Sequence, residues 1–91
     1  MKTVLIIFET ENGEKWANAW HHGEGGRHEM FEKLGIKVRT FRDPNNPDLC
    51  GGIWEIPDIK AFDDYLATDE GQNGMAEDGL KVETIRRLEE F

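Results

Sequence analysis

The chain has a single cysteine, Cys50, among 91 residues, so no internal disulfide can form, and a lone thiol points away from an oxidising compartment. Long apolar runs are missing as well. The longest, Val4 to Phe8, is too short to span a bilayer or to form the core of a signal peptide, and Thr10–Asn12 after it carry no small-residue cleavage pattern. Positive charge is scarce. Eleven Lys and Arg against nineteen Asp and Glu leave a net charge of −8, and basic residues adjoin only at Arg86-Arg87. Such a field repels nucleic-acid phosphates and anionic lipid, so neither is an expected partner, and the acidic excess favours solubility. A cytoplasmic location is the expectation. No phosphate loop, serine elbow or paired-cysteine motif is present.

What is there fits one domain spanning residues 1–91. A chain of this size buries only about 60–65% of its unfolded surface, a narrow margin that small domains often widen by pairing with a partner subunit. Lys2–Glu9 (KTVLIIFE) reads as a strand rich in β-branched and aromatic residues. Both its faces are apolar, Val4, Ile6 and Phe8 on one and Thr3, Leu5 and Ile7 on the other. Helices from the same chain can cover one face; covering the second calls for another copy, so a homodimer is expected.

After a turn at Thr10–Gly13, Asn12 is suited to cap a helix and Glu14 to its first turn. From Glu14 to Leu34 an apolar stripe of Trp16, Trp20, Met30, Phe31 and Leu34 keeps helical phase, although Gly23, Gly25 and Gly26 predict a kink or break near Gly25. Gly35 is placed for a left-handed cap. Ile36–Arg42 reads as a second strand, Asp43–Asp48 as a turn with two prolines, and Leu49–Ile56 as the returning strand, where Gly51-Gly52 imply a bulge or a close backbone approach. Asp58 caps a short amphipathic helix over Ile59–Thr68 with Ile59, Phe62 and Leu66 on one side. Asp69 and Gln72 have capping-box spacing ahead of one loose helical turn around Met75, ended by Gly79. Leu80–Leu88 reads as a strand on Val82, Thr84 and Ile85, with helix as the alternative. The order strand, helix, strand, strand, helix, strand predicts an α+β, ferredoxin-like βαββαβ fold, a four-stranded antiparallel sheet with helices on one face.

On that order, Arg27–Phe91 resembles the dimeric α+β barrel superfamily, which includes the antibiotic-biosynthesis monooxygenases. The residues that carry it are Gly35-Ile36 entering the second strand, the Arg42–Pro47 hairpin turn, Trp54-Glu55-Ile56 followed by Asp58 and Phe62, and the loop helix ending at Gly79. These cover about two thirds of the chain, and the first strand is compatible. The resemblance implies two sheets facing one another across a dimer, with a pocket between sheet and helices. Haem-degrading relatives use a histidine on the second helix; Ile59–Thr68 contains none, so no haem or other cofactor is expected. Monooxygenase relatives use polar and aromatic pocket residues, and the resemblance offers Asn12, Trp54 and Tyr65 as candidates for distant equivalents here.

Among residues able to carry chemistry, His21, Glu24 and His28 form the sharpest set. On an unbroken helix they share an arc of roughly 60°, beside Trp16 and Trp20. Two imidazoles and a carboxylate can bind a metal, and one imidazole can act as a base. The spacing matches no established metal signature and glycines interrupt it, so no metal is assigned; the bland reading is solvated residues around a helix break. His22 lies off that arc and is expected in solvent. Trp16, Trp20 and Trp54 suit an aromatic-ligand pocket, as their spacing equally suits core packing. Tyr65 can donate a hydrogen bond to a ligand or simply sit at the boundary. Cys50, mid-strand with no neighbour to lower its pKa, reads as a small buried hydrophobe, and Asp63-Asp64 as a solvated face. Two functional classes stay open. One is a pocketed dimer acting on a small, partly aromatic metabolite, with His21, His28 and Tyr65 as catalytic candidates and Trp16, Trp20, Trp54 and Asn12 as binding ones. The other is a non-catalytic dimeric module binding a small molecule or a protein.

Overall fold

Alternation in the first strand sets the architecture. In the computed structural model, which describes residues 1–91, β1 (Lys2–Glu9) runs through the middle of a four-stranded sheet of order β2-β3-β1-β4. It pairs antiparallel with β3 (Leu49–Ile56) along its whole length, from Lys2 opposite Ile56 to Glu9 opposite Leu49. Its other edge takes the short β4 (Arg86–Glu89), with Leu5 opposite Leu88. β2 (Lys37–Arg42) pairs antiparallel with β3 on the outer side. This is the ferredoxin-like arrangement, with β1 and β3, the two strands richest in apolar residues, at its centre.

The helices are α1 (Gly13–Ala19), α2 (Arg27–Glu32), α3 (Ile59–Leu66) and α4 (Asp69–Glu77). Asn12 caps α1, its side chain accepting from the Glu14 and Lys15 amides, and Asp58 caps α3 by accepting from the Ala61 amide. Together the helices cover the sheet face formed by Val4, Ile6 and Phe8 of β1 and Cys50, Trp54 and Ile56 of β3, all buried. Against these pack Trp16, Trp20, Phe31, Ile36 and Phe62, completing one core.

Several local expectations are corrected. The continuous phase from Glu14 to Leu34 does not hold: helix is absent from Trp20 to Gly26, where Gly23 and Gly25 adopt φ of 105° and 85°. Leu34 therefore leaves the stripe and is 56% exposed beyond the end of α2. Gly51-Gly52 forms no bulge, since the register with both neighbours is continuous. Close approach is the reason for the pair. A Cβ on Gly52 would lie 3.1 Å from the Arg39 carbonyl oxygen and 3.2 Å from Trp54 Nε1, and one on Gly51 would lie 2.7 Å from the Ile6 carbonyl oxygen. The Asp69/Gln72 capping box is replaced by Thr68, whose hydroxyl accepts from the Gly71 amide, while Gln72 donates to the Leu66 carbonyl. α4 is a full helix of nine residues. The last segment is a strand only at Arg86–Glu89, preceded by a 3-10 turn at Val82–Thr84 and a bridge between Leu80 and Thr10. No helix is long and apolar enough to cross a membrane.

Candidate functional site

The covered face does not fill completely. Between the sheet and helices α1 to α4 lies a half-enclosed cavity of about 160 Å³. Its floor is Ile6, Phe8 and Trp54 of the sheet; Trp16, Trp20, Met30 and Phe31 wall one side, and Phe62, Tyr65, Leu66 and Met75 the other. Cavities of this kind, mostly apolar with few polar groups, are the usual form of a small-molecule site.

Aromatic packing gives the walls their shape. Trp20 is the hub: it stacks on Phe31 at 5.6 Å with an interplanar angle of 5°, and meets the Trp54 ring edge-on at 5.5 Å. Trp16 lies 6.1 Å from Trp20 and packs edge-on against Phe8 at 5.6 Å. Trp54 continues the contact to Phe62 at 5.2 Å, and Phe31 meets Tyr65 edge-on at 6.3 Å. Interlocked edge-to-face pairs add to burial energy and hold ring orientations. Gly71 brings α4 onto the rim. A side chain there would collide with the Tyr65 carbonyl and the Leu66 backbone, so glycine sets how closely α4 meets the end of α3.

Four polar side chains reach the cavity: Arg27, Asp78, Arg87 and Tyr65. Asp78, buried at the end of α4, takes a two-pronged bond from Arg27, with Nε to Oδ2 at 3.1 Å and Nη2 to Oδ1 at 3.0 Å. That bond raises the Arg27 pKa still further and ties α2 to α4. Arg87 of β4 is held by Asp63 of α3 at 2.6 Å and lies over the Phe62 ring, with its Nε covered and unpartnered. Burial raises the Tyr65 phenol above its usual pKa, reinforced by Glu70, so it stays protonated at neutral pH.

The structure brings four of the sequence candidates, Trp16, Trp20, Trp54 and Tyr65, to this one cavity and leaves three outside its lining. Asn12 is engaged as the α1 cap. His21 is exposed, and its two ring nitrogens face the Asn18 and Glu24 carbonyls at 2.8 and 3.1 Å; these bonds raise its pKa, because both nitrogens must carry hydrogen to satisfy them. His28 is buried behind Trp20, whose ring it meets edge-on at 5.1 Å, with Nε2 3.3 Å from the Thr40 hydroxyl. Desolvation lowers its pKa, and His22 adds to that. The His21/Glu24/His28 set is thus not assembled, since the helix that would align it is broken. His22 is exposed, as expected, but does not point away from the set: it stacks on His28 at 4.2 Å. Cys50 is buried, with burial raising its thiol pKa, and Asp63 and Asp64 diverge to pair with Arg87 and Lys60.

Arg27, Asp78 and Arg87 were not legible as site residues. Arg27 and Asp78 stand 51 positions apart, and nothing local to either signals the pairing.

No protein-family model and no curated protein matches the sequence. Among solved structures, the fold is similar to the crystal structure of an antibiotic biosynthesis monooxygenase, with a TM-score of 0.68 over 100% of this chain and 97% of that one at 14% identity. The two chains share the ferredoxin-like α+β fold from end to end.

Proposed function

We propose that this protein is a homodimer that binds a small, partly aromatic metabolite in the cavity between its sheet and its helices. The observation that carries the reading is the cavity itself, walled by Trp16, Trp20, Trp54, Phe31 and Tyr65 and left open in an otherwise packed core. Pairing is supported by the opposite sheet face. There Leu5, Ile7, Phe41, Ile53 and Leu88 stand together with no cover, Ile7 38%, Phe41 50% and Leu88 63% exposed. Contiguous apolar surface of this kind on a small domain marks an interaction face. The single buried thiol supports a reducing, cytoplasmic setting, and the net charge of −8 argues against nucleic acid or membrane as partner.

Monooxygenase chemistry, as in the name of the structural neighbour, is the catalytic form of the same proposal. In its favour, the Tyr65 phenol lines an apolar site, and a protonated phenol is a group able to donate a hydrogen bond or a proton to a bound oxygen. The non-catalytic form needs the cavity alone. Thermal-shift titration with quinols and other aromatic metabolites tests the binding claim, and oxygen uptake with those that bind tests the catalytic one. Stabilisation by at least one aromatic class is expected. Uniform silence across quinols, polyketides and haem would defeat the ligand-binding reading.

A further inference from the structure

The hydrogen-bonding capacity of the cavity's polar groups narrows what it can hold. Both Asp78 oxygens are taken by Arg27, so the carboxylate offers little to a ligand. Arg87 is turned to Asp63 through both terminal nitrogens, at 2.6 and 3.5 Å, and its Nε is sealed from solvent. Arg27 commits Nε and Nη2 to Asp78 and Glu77, which leaves Nη1. The protein acceptor within reach of Nη1 is the Met30 thioether sulfur at 3.8 Å, a weak one. The Tyr65 side chain lines the same space; its own backbone carbonyl is used by Thr68, whereas its hydroxyl has no protein partner. What the cavity keeps free is therefore donors, in a wall whose remaining side chains offer carbon, sulfur and the indole N–H groups of Trp16, Trp20 and Trp54. Its volume of about 160 Å³ is close to that of an engineered protein cavity that accommodates benzene, about 150 Å³.

Resting on the ligand-binding proposal, we infer that the cavity selects a single aromatic ring bearing a hydrogen-bond-accepting oxygen, which Arg27 Nη1 and the Tyr65 hydroxyl receive together. An acceptor oxygen completes both donors without disturbing the Arg27–Asp78 pair. A ligand group that only donates finds no free acceptor beyond the phenol oxygen, and leaves the arginine donor unpaired in an apolar setting.

Acetophenone and isopropenylbenzene have nearly the same shape and differ in a carbonyl against a vinylidene group, which makes them the probes of choice. Their affinities for the intact protein, for Tyr65→Phe and for Arg27→Met are measured by protein-observed NMR titration. The ratio of acetophenone to isopropenylbenzene affinity, which cancels the difference in hydrophobicity, is expected to fall by about 5- to 10-fold in each variant, the worth of one hydrogen bond. Tyr65→Phe removes a hydroxyl with no protein partner and keeps the test decisive should Arg27→Met fail to fold. A ratio unchanged in Tyr65→Phe, with both probes still bound in the cavity, overturns this inference and leaves ligand binding standing. Failure of both probes to shift any cavity signal overturns the two together.

Discussion

The two sides of β1 are close to equal in composition and opposite in fate. Val4, Ile6 and Phe8 lie under the helices and are nearly inaccessible, at 1%, 8% and 5% exposure, whereas Leu5 is half-buried and Ile7 lies 38% exposed on the uncovered side. The neighbouring strand repeats the contrast with its two glycines. Gly52 points to the covered side and makes room for the Trp54 indole, while Gly51 points to the open side between Ile7 and Phe41. One side has become a core with a cavity in it. The other is a surface with an apolar centre, flanked by Arg39 and Arg86, which a second copy of the chain covers in the proposed homodimer. A strand's side chains alternate whatever lies above them, so the same hydrophobicity serves two purposes, set by what the rest of the chain can reach.

The contrast is broken most severely from the covered side. Trp20→Ala removes the hub of the aromatic cluster and is expected to cost about 3–5 kcal/mol of stability, read as a lowered midpoint in urea unfolding. From the open side, Leu5→Glu places a charge between Ile53 and Leu88. Burying that charge in a sheet-to-sheet interface is expected to weaken the dimer about 100-fold or more. Sedimentation at micromolar concentration should then show chains of 10.5 kDa, with the fold intact by circular dichroism. An unmodified protein already monomeric under those conditions would rule out the dimer. Gly71→Ala sharpens the picture of the cavity rim: the clash with the Tyr65 carbonyl is expected to cost about 1–3 kcal/mol and to loosen ligand binding while leaving the oligomeric state unchanged.

The smallest effect concerns two histidines on the covered side, near the break between α1 and α2. His28 has a folded pKa below its reference value of 6.5, so the stability gained by keeping it neutral is complete above 6.5 and is lost as pH falls through that value toward the lower folded one. His21 has the opposite sign. Its folded pKa is raised, so its contribution is complete below 6.5 and is lost as pH rises through the folded value. The two act in opposite directions in the intact protein. Urea titrations at about pH 5.5 and about pH 7.5, either side of the ordinary histidine range, separate them. His28→Gln should lose less stability on acidification than the unmodified protein, and His21→Gln should lose more. Parallel behaviour of the three proteins would show that neither ring is coupled to folding.

Much of the fold was legible because its signals are local. The β-branched run Lys2–Glu9, the Asp43–Asp48 turn between two strands, and the caps at Asn12, Asp58 and Gly35 each depend on a few adjacent residues, and the structure places strand, hairpin and caps there. The candidate site divides differently. Trp16, Trp20, Trp54 and Tyr65 stood out by residue type and do line the cavity. The His21/Glu24/His28 grouping depended on a helix continuing through Gly23–Gly26, and the glycines ended it; the left-handed φ at Gly23 and Gly25 turns the chain so that His22, not His21, meets His28. Arg27 and Asp78 escaped notice because each looked like one more charged surface residue in an acidic chain.

By itself the sequence determined the order of elements, the alternation that makes β1 apolar on both sides, and the aromatic content of the core, because period, propensity and capping act over a few residues. Only the tertiary structure decided which side of the sheet the helices would cover, that their packing would leave a cavity of about 160 Å³, and which polar groups would meet at its edge. Those outcomes depend on contacts between residues far apart in the chain, where no local preference specifies a partner.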